Sequence, residues 1–255
     1  MTASLQAAIQ KAAALLRSAR QGVALTGAGL STPSGIPDFR SLDSGLWKRY
    51  DPMAVASLRA FRYQPEAFFA WLREIALEIQ HACPNPAHEA LAQLQQDGYL
   101  KTIVTQNVDG LQQRAGASRV VEVHGSLNTL TCIRCYQRFH ASGHLQAYLM
   151  EGEIPRCPDC GNILKPDIIL FEEQLPLEPW RQAEESMRTC DFVIVAGSSL
   201  TVMPVAGLPM QAVSHGAHLV IINKAPTYID VRADVVLHGD VADILPLLAQ
   251  EVLHG

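Results

Sequence analysis

Four of the six cysteines fall into two closely spaced pairs that could hold a metal ion. The pairs are Cys132-x-x-Cys135 and Cys157-x-x-Cys160, with 21 residues between them. Each pair places two thiolates on one turn, and two such turns complete a tetrahedral shell of four sulfurs around zinc. Because four protein ligands leave no open position for water, the pattern predicts a structural zinc ion, with redox-active or merely buried cysteines as the alternative.

Glycine-rich or polar segments follow three of the predicted buried strands. They are Gly27-Ala28-Gly29 after Val23 to Thr26, Gly197-Ser198-Ser199 after Phe192 to Ala196, and Asn223 after His218 to Ile222. Exposed amides in such turns can cradle a pyrophosphate, and Arg40 can add a charge-assisted contact. Ligands of open parallel sheets bind outside the carboxyl ends of the strands, so these segments should converge on one crevice. As a set they predict a dinucleotide site, whereas each alone is also compatible with an ordinary turn.

Two further strand ends carry side chains that can move or orient protons. Gln106-Asn107-Val108-Asp109 follows the predicted strand Lys101 to Thr105, and His124 ends the strand Val120 to His124. Amide, carboxylate and imidazole groups at neighbouring strand ends can orient a sugar and accept a proton from it near neutral pH. Taken alone, a histidine such as His124 more often has a structural role, but its place beside the other loops favours a functional one.

The elements that must position these residues alternate between helices and apolar strands. Spacings of three and four residues from Leu5 to Leu16 predict an amphipathic helix that ends at Gly22. The other predicted elements are helices at Pro65 to Gln80, Pro86 to Gln96 and Val241 to Leu253, and a last strand at Asp234 to His238. Strands rich in Val and Ile that alternate with helices indicate a parallel sheet covered on both faces.

This pattern predicts an α/β fold, with a doubly wound, Rossmann-like parallel sheet and a small inserted zinc-ribbon domain. The predicted division is 1–126 with 167–255 for the nucleotide-binding domain and 127–166 for the zinc ribbon.

Composition narrows the function classes. The 255 residues carry a formal net charge of −5 and are 48% hydrophobic, which makes nucleic acid an unlikely main partner. No Asp, Glu, Lys or Arg lies between Asp191 and Lys224, but glycines and prolines interrupt that stretch, so we expect no membrane span. A basic start followed by an apolar run is absent, and a cytoplasmic location is expected. Cys83 and Cys190 are expected to be buried apolar residues.

The motifs, taken in order, resemble the sirtuin family of NAD-dependent protein deacylases. The resemblance rests on segments that cover nearly the whole chain in the family's order. They are Gly27 to Ser31, Gly35 to Arg40, Thr105 to Asp109, His124-Gly125, the four paired cysteines, Gly197 to Ser199 and the Asn223 loop. The resemblance implies a Rossmann-like domain with a small zinc-ribbon domain, and an acyl-lysine peptide that enters the cleft between them. It also implies NAD as co-substrate and one structural zinc.

By resemblance, the turn from Gly27 to Ser31 and Arg40 hold the NAD phosphates, and Phe39 shields the reactive ribose carbon. Ser31, Asn107 and Asp109 line the nicotinamide pocket, and His124 and Asn107 are the candidate catalytic residues. The full set of candidate cofactor-binding residues is Gly27, Ala28, Gly29, Ser31, Ile36, Asp38, Phe39, Arg40, Gln106, Asn107, Asp109, Gly197, Ser198, Ser199, Asn223, Lys224 and Val241.

The implied reaction begins when the substrate's amide oxygen attacks the ribose carbon that bears nicotinamide. Nicotinamide leaves, and an alkylimidate forms. His124 would then act as general base for a ribose hydroxyl that attacks the imidate carbon, and water completes the formation of free lysine and O-acyl-ADP-ribose. A closed site that excludes water disfavours simple hydrolysis of NAD.

Two departures from the family pattern concern the substrate. Members that prefer succinyl-lysine resemble one another in a Tyr-x-x-Arg pair, and Phe69 and Leu72 occupy those positions here. An apolar pocket cannot pair a buried carboxylate, so neutral acyl groups, acetyl first, are expected, with Arg73 facing solvent. Glu172 stands in Phe171-Glu172-Glu173, where the family usually has glycine in a loop that borders the peptide.

Two other functions remain open at this point. An NAD glycohydrolase or a mono-ADP-ribosyltransferase would use the same pocket, because both also begin by cleaving the nicotinamide bond. The third hypothesis is a protein without catalytic activity, in which the zinc ribbon binds a partner protein or nucleic acid. Some local positive charge for this comes from Arg134, Arg138 and Lys165.

Overall fold

The computed structural model describes residues 2–38 and 45–255. The helices are α1 (Ala3–Ser18), α2 (Pro52–Val55), α3 (Leu58–Tyr63), α4 (Pro65–His81), α5 (Pro86–Gln96), α6 (Leu111–Arg114), α7 (Ser142–Glu151), α8 (Leu177–Thr189), α9 (Leu208–Ser214) and α10 (Val241–His254). The strands are β1 (Gly22–Thr26), β2 (Leu100–Thr105), β3 (Val120–Glu122), β4 (Gly125–Cys132), β5 (Arg138–His140), β6 (Leu164–Ile168), β7 (Phe192–Ala196), β8 (His218–Asn223) and β9 (Val235–His238).

The larger sheet has six parallel strands in the order β3-β2-β1-β7-β8-β9. The strand order reverses between β1 and β7, and this is the switch point at which doubly wound folds open a crevice for ligands. Every residue of β1 and of β7 is buried, as expected for central strands with helices on both faces. The predicted Rossmann-like parallel sheet is thereby confirmed.

Helices cover both faces of this sheet. On one face, α1, α5 and α10 bury side chains such as Leu16, Leu91 and Leu248 against the strands. On the other face, α8 and α9 pack residues such as Met187 and Leu208 onto the alternate strand positions. The parallel strands are therefore buried on both faces, and their carboxyl ends are left uncovered by these helices.

A second, antiparallel sheet in the order β5-β4-β6 carries the four paired cysteines. Beside it, α7 packs on α4 in an aromatic cluster that includes Phe68, Phe69 and Tyr148. The Tyr148 hydroxyl donates to the Phe69 carbonyl at 2.6 Å. These contacts join the cysteine-bearing sheet to the helical segment between β1 and β2, which the sequence patterns did not predict as a unit.

Two local predictions, for the end of the first helix and for Cys83, are wrong. Helix α1 ends at Ser18, and Gly22 instead begins β1, where a Cβ atom would lie 2.3 Å from the Tyr99 carbonyl oxygen. Cys83 is exposed because it precedes the first turn of α5 instead of lying within an apolar face, whereas Cys190 is buried as expected.

Arg73 does not simply face solvent. Its guanidinium donates to the Leu149 carbonyl at 2.6 and 2.8 Å and to the Met150 carbonyl at 3.0 Å, near the carboxyl end of α7. Carbonyls there lack partners within the helix, so a cation in reach is drawn to them. Among the described residues, no helix is both long and apolar enough to cross a membrane.

Candidate active site

A cleft of about 1200 Å³ runs along the carboxyl ends of the parallel strands. The candidate residues from the sequence that line it are Gly27, Ala28, Gly29, Ser31, Ile36, Asp38, Gln106, Asn107, Asp109, His124, Ser198, Ser199, Asn223, Lys224 and Val241. Phe39 and Arg40 lie outside the described residues. The structure therefore brings together residues that follow all six strands of the larger sheet.

Gly197 does not line the cleft but fixes the distance between its two central loops. It adopts a φ of 62°, and a Cβ atom there would lie 2.3 Å from the Leu30 nitrogen. Its carbonyl accepts a hydrogen bond from the Gly29 N–H at 2.8 Å. Only glycine permits this close approach, so the loops after β1 and β7 are held edge to edge.

A buried polar cluster forms the floor of the cleft around Ser31. The Ser31 hydroxyl donates to Asp109 Oδ2 at 2.6 Å and accepts from Asn107 Nδ2 at 3.0 Å. Asp109 is held in turn by the Leu111 N–H, which donates to its Oδ1 at 2.9 Å. The cluster thus presents an amide and a carboxylate with fixed orientation.

His88 completes this cluster from behind, and no sequence pattern indicated it. Its Nε2 lies 3.4 Å from Ser31 Oγ, and its Nδ1 accepts from the Asn85 N–H at 3.3 Å. Since Nδ1 accepts, the proton of the neutral ring is on Nε2, which donates to Ser31. Burial lowers the pKa of His88 to about 4 although Asp109 opposes the shift, so the ring is neutral at pH 7.

Asn85 braces the same loop. Its Nδ2 donates to the Leu30 carbonyl and to Ser34 Oγ, both at 2.9 Å, while its Oδ1 caps α5 by accepting from the Ala87 N–H. The start of α5 therefore anchors the loop after β1 from two neighbouring positions. The only hint of this in the sequence is the Asn-Pro pair, which is typical of a helix start.

His124 lies in the turn between β3 and β4, with one ring nitrogen held by a hydrogen bond. The strand predicted to run from Val120 to His124 ends at Glu122. Its Nδ1 lies 3.1 Å from the Gln106 carbonyl, which can only accept, so Nδ1 carries the proton and Nε2 keeps its lone pair. Burial lowers the pKa of His124 below its usual value of 6.5, while the bond to Gln106 opposes the shift. Gln106 is itself held by Ser198 Oγ, which accepts from its Nε2 at 2.9 Å. The imidazole is therefore an oriented base that stays neutral at physiological pH.

Asn223 and Lys224 lie at the other end of the cleft, after β8. Asn223 Nδ2 donates to the Ala225 carbonyl at 2.7 Å. Lys224 Nζ lies 2.8 Å from Asp240 Oδ2, and Asp240 also caps α10 by accepting from the Ala242 N–H. This end is polar and more open than the floor around Ser31.

The opposite half of the cleft is apolar. Trp71, Ile75 and Ile79 line it from α4, at spacings of four residues that share one helix face. Further apolar lining comes from Trp47, Ala56, Ile168, Leu170 and Phe171.

Phe69 and Leu72, which the sequence placed at the acyl-binding positions, do not line this half. They are buried on other sides of α4, where Phe69 packs on Tyr148. The apolar character expected of the pocket therefore comes from different residues of the same helix.

The four paired cysteines form a cluster that fits one zinc ion. Their sulfur atoms lie within 4.8 Å of one another, with Cys132 and Cys160 at 3.5 Å and Cys135 and Cys157 at 3.6 Å. A tetrahedral site with Zn–S bonds of about 2.3 Å places its sulfurs about 3.8 Å apart. Among the described residues, this is the one group of three or more Cys, His, Asp or Glu side chains arranged to hold a metal ion.

Comparison with known proteins identifies the family to which this chain belongs. The model of the Sir2 family matches residues 27–204. The chain belongs to the Sir2 family. The sirtuin resemblance predicted from the sequence is thereby confirmed.

Similar Sir2 proteins match over almost their whole length. NAD-dependent protein deacylase 2 of Archaeoglobus fulgidus is 43% identical, with 96% of both chains covered. A solved structure described under the structural basis for the mechanism and regulation of Sir2 enzymes superposes with a TM-score of 0.91. It is 42% identical, and the match covers 97% of this chain and 98% of the other. A Sir2 structure with a deacetylated peptide and an acetyl-ADP-ribose superposes with a TM-score of 0.89 at 36% identity, covering 95% and 98%.

Proposed function

We propose that this Sir2-family chain is an NAD-dependent protein-lysine deacetylase. It transfers the acetyl group of acetyl-lysine to ADP-ribose and releases nicotinamide and O-acetyl-ADP-ribose. Support comes from a similar protein named as an NAD-dependent protein deacylase, from a similar structure with a deacetylated peptide and an acetyl-ADP-ribose, and from a cleft with a polar half and an apolar half. Its partners are proteins or peptides that carry acetyl-lysine.

One observation carries the proposal: the neutral, oriented imidazole of His124 at the point where the two halves of the cleft meet. Nε2 retains its lone pair because Nδ1–H is held by the Gln106 carbonyl. NAD supplies the ribose carbon that accepts the acyl oxygen, and Nε2 takes the proton from a ribose hydroxyl. Burial keeps the ring uncharged, so this base is available without a change of pH.

The Ser31, Asn107 and Asp109 cluster is the pocket for the nicotinamide carboxamide. A carboxamide has two donors on its nitrogen and an acceptor oxygen, and the cluster offers the matching carboxylate and amide groups. Asn107 acts here by orienting the leaving group. The turn from Gly27 to Ser31 faces the phosphates: Gly27, Ala28 and Gly29 line the cleft directly after β1, and their small size lets a phosphate approach the main chain.

The remaining candidate residues hold the rest of NAD. Ser198 and Ser199 serve the phosphates and ribose, and Asn223, Lys224 and Val241 lie on the adenosine side. Ile36 and Asp38 close the nicotinamide end. Phe39 and Arg40 stay predictions, as does the zinc-ribbon boundary at 127–166.

The apolar half takes the acetyl-lysine side chain. Ile75 and Ile79 carry no polar group and Trp71 offers only a neutral indole N–H, so these residues supply no cation to pair a carboxylate, and neutral acyl groups are preferred over succinyl. Zinc, held by the four cysteines, fixes the small antiparallel sheet that carries one wall of this half and takes no part in the chemistry.

An acetyl-lysine peptide incubated with the purified protein tests this function directly. The peptide should lose one acetyl group only when NAD is present, and O-acetyl-ADP-ribose should appear by mass spectrometry. His124→Ala should abolish both signals, while His254→Ala, on the exposed end of α10, should not. Deacetylation at the wild-type rate by His124→Ala would show that the assigned base is wrong.

A further inference from the structure

Glu172 occupies a backbone conformation that favours glycine. Its φ is 72°, in the left-handed region, and the residue is exposed at the rim of the cleft. Its carboxylate Oε2 accepts from the Arg59 N–H in the first turn of α3 at 3.1 Å. This bond offsets part of the conformational cost, because main-chain N–H groups at a helix start lack partners within the helix.

The negative charge of Glu172 is not neutralised. Within the described part of the chain, no Lys, Arg or His side chain lies within 4.0 Å of its carboxylate. The neighbouring Glu173 differs, since its Oε2 lies 2.9 Å from Lys165 Nζ and accepts from the Leu170 N–H. Of these two adjacent carboxylates, Glu173 is paired and half-buried, whereas Glu172 is exposed at the rim.

The loop that carries Glu172 also presents free main chain to the cleft. Phe171 is already paired with the segment from Ala56 to Leu58: its N–H donates to the Ala56 carbonyl, and its carbonyl accepts from the Leu58 N–H. No group of the described residues bonds the N–H or C=O of Gln174, which lines the cleft. An extended peptide can pair with such an edge as an added strand.

We propose that Glu172 selects acyl-lysine peptides that carry Arg or Lys beside the acylated residue. A peptide strand that pairs with the free main chain of Gln174 brings its flanking side chains past the nearby carboxylate of Glu172, which attracts a cation and repels an acidic residue. This preference rests on the proposed function. It concerns the peptide alone and leaves NAD binding and the acyl pocket unchanged.

Two acetyl-lysine peptides that differ only by Arg or Glu next to the acetyl-lysine test this preference. The wild type should show a higher kcat/KM for the Arg peptide, by up to about fivefold at low salt, as expected for a solvent-exposed charge pair. Added salt should reduce the ratio. Glu172→Gln should bring it close to one.

Two further variants make the result specific. Glu172→Gly removes the charge and suits the left-handed backbone, so it should lose the preference as Glu172→Gln does. Glu153→Gln removes an exposed carboxylate that does not line the cleft, and it should keep the wild-type ratio. Thermal unfolding and the Kd for NAD show whether each variant is folded.

The outcomes separate this preference from the function itself. Equal ratios in the wild type and in Glu172→Gln would overturn the role of Glu172 while leaving deacetylation intact. Loss of the preference in Glu153→Gln would overturn it too, because net charge and not the rim would then be responsible. Failure of the wild type to deacetylate either peptide in the presence of NAD would contradict the proposed function as well.

Discussion

The polar half of the cleft, proposed to hold NAD and called the cofactor half here, is built from residues at strand ends. The apolar half, proposed to hold the acyl group and called the acyl half, is built from helices and loops. Ser31, Asn107 and His124 each follow a strand of one rigid sheet, and hydrogen bonds fix their orientation. The acyl half instead gathers Trp71 from α4 and Phe171 from the loop after β6. In the proposed function, one half positions the reacting groups, and the other supplies shape and excludes water.

This difference has a physical consequence. Hydrogen-bonded groups at the ends of buried parallel strands have few alternative positions, so substitutions there should affect chemistry and leave the choice of acyl group unchanged. Apolar walls tolerate changes of shape more readily. Substitutions there should alter which acyl group is accepted and leave NAD binding unchanged.

The largest expected effect is in the cofactor half. His124→Ala should reduce kcat by about 10² to 10⁴, the usual contribution of a general base, while the Kd for NAD changes little. Stopped-assay rates and calorimetric NAD binding measure the two quantities. A comparable loss of NAD binding would mean that His124 holds the cofactor instead of acting as a base.

The next largest effect should come from removing the metal. Cys135→Ser should lower the zinc content and reduce Tm by about 10 °C or more, since binding of a structural zinc contributes directly to folding. Hydrogen exchange should rise first in β4 to β6, with the parallel sheet still protected. Cys83→Ser is the matched control, because Cys83 is exposed and outside the cluster. Equal destabilisation by both variants would contradict a zinc site.

A smaller effect is expected for the choice of acyl group. The wild type should favour acetyl-lysine over succinyl-lysine by about tenfold or more, because a carboxylate in an apolar pocket has no partner. Ile75→Lys should narrow that ratio without changing the Kd for NAD. Gln80→Lys adds the same charge on the exposed face of α4 and should leave the ratio unchanged. An unchanged ratio in Ile75→Lys would place the acyl group elsewhere.

The smallest expected effect is a shift in the pH dependence of kcat/KM. Burial lowers the pKa of His124, and the neutral ring is the active form, so its contribution is present above the lowered pKa and lost as pH falls through it. The acid limb of kcat/KM should therefore have its midpoint below 6.5. A midpoint at or above 6.5 that vanishes in His124→Ala would contradict a buried, neutral base.

The same contrast explains how much the sequence could reveal. Uninterrupted Val and Ile runs predicted β7 at its observed bounds and β8 to within one residue, and α5 was predicted from Pro86 to Gln96 as observed. Residues next to such strands must share one edge of the sheet, so the polar half could be assembled from sequence.

The acyl half could not be assembled in this way. Trp47, Trp71 and Phe171 meet only through the packing of α4 against the cysteine-bearing sheet, and α2, α3 and α7 are too short to give a periodic signal. The family pattern pointed to Phe69 and Leu72 on the correct helix but on other faces. His88 was missed because its contact with Ser31 spans 57 residues.

The ratio of nicotinamide released to lysine freed tests the central claim most directly. With NAD and a saturating acetyl-lysine peptide, we expect one nicotinamide for each lysine deacetylated, and almost none without the peptide. Nicotinamide released at the same rate without peptide, or ADP-ribose attached to unmodified protein, would contradict deacetylation and favour a glycohydrolase or an ADP-ribosyltransferase in the same cleft.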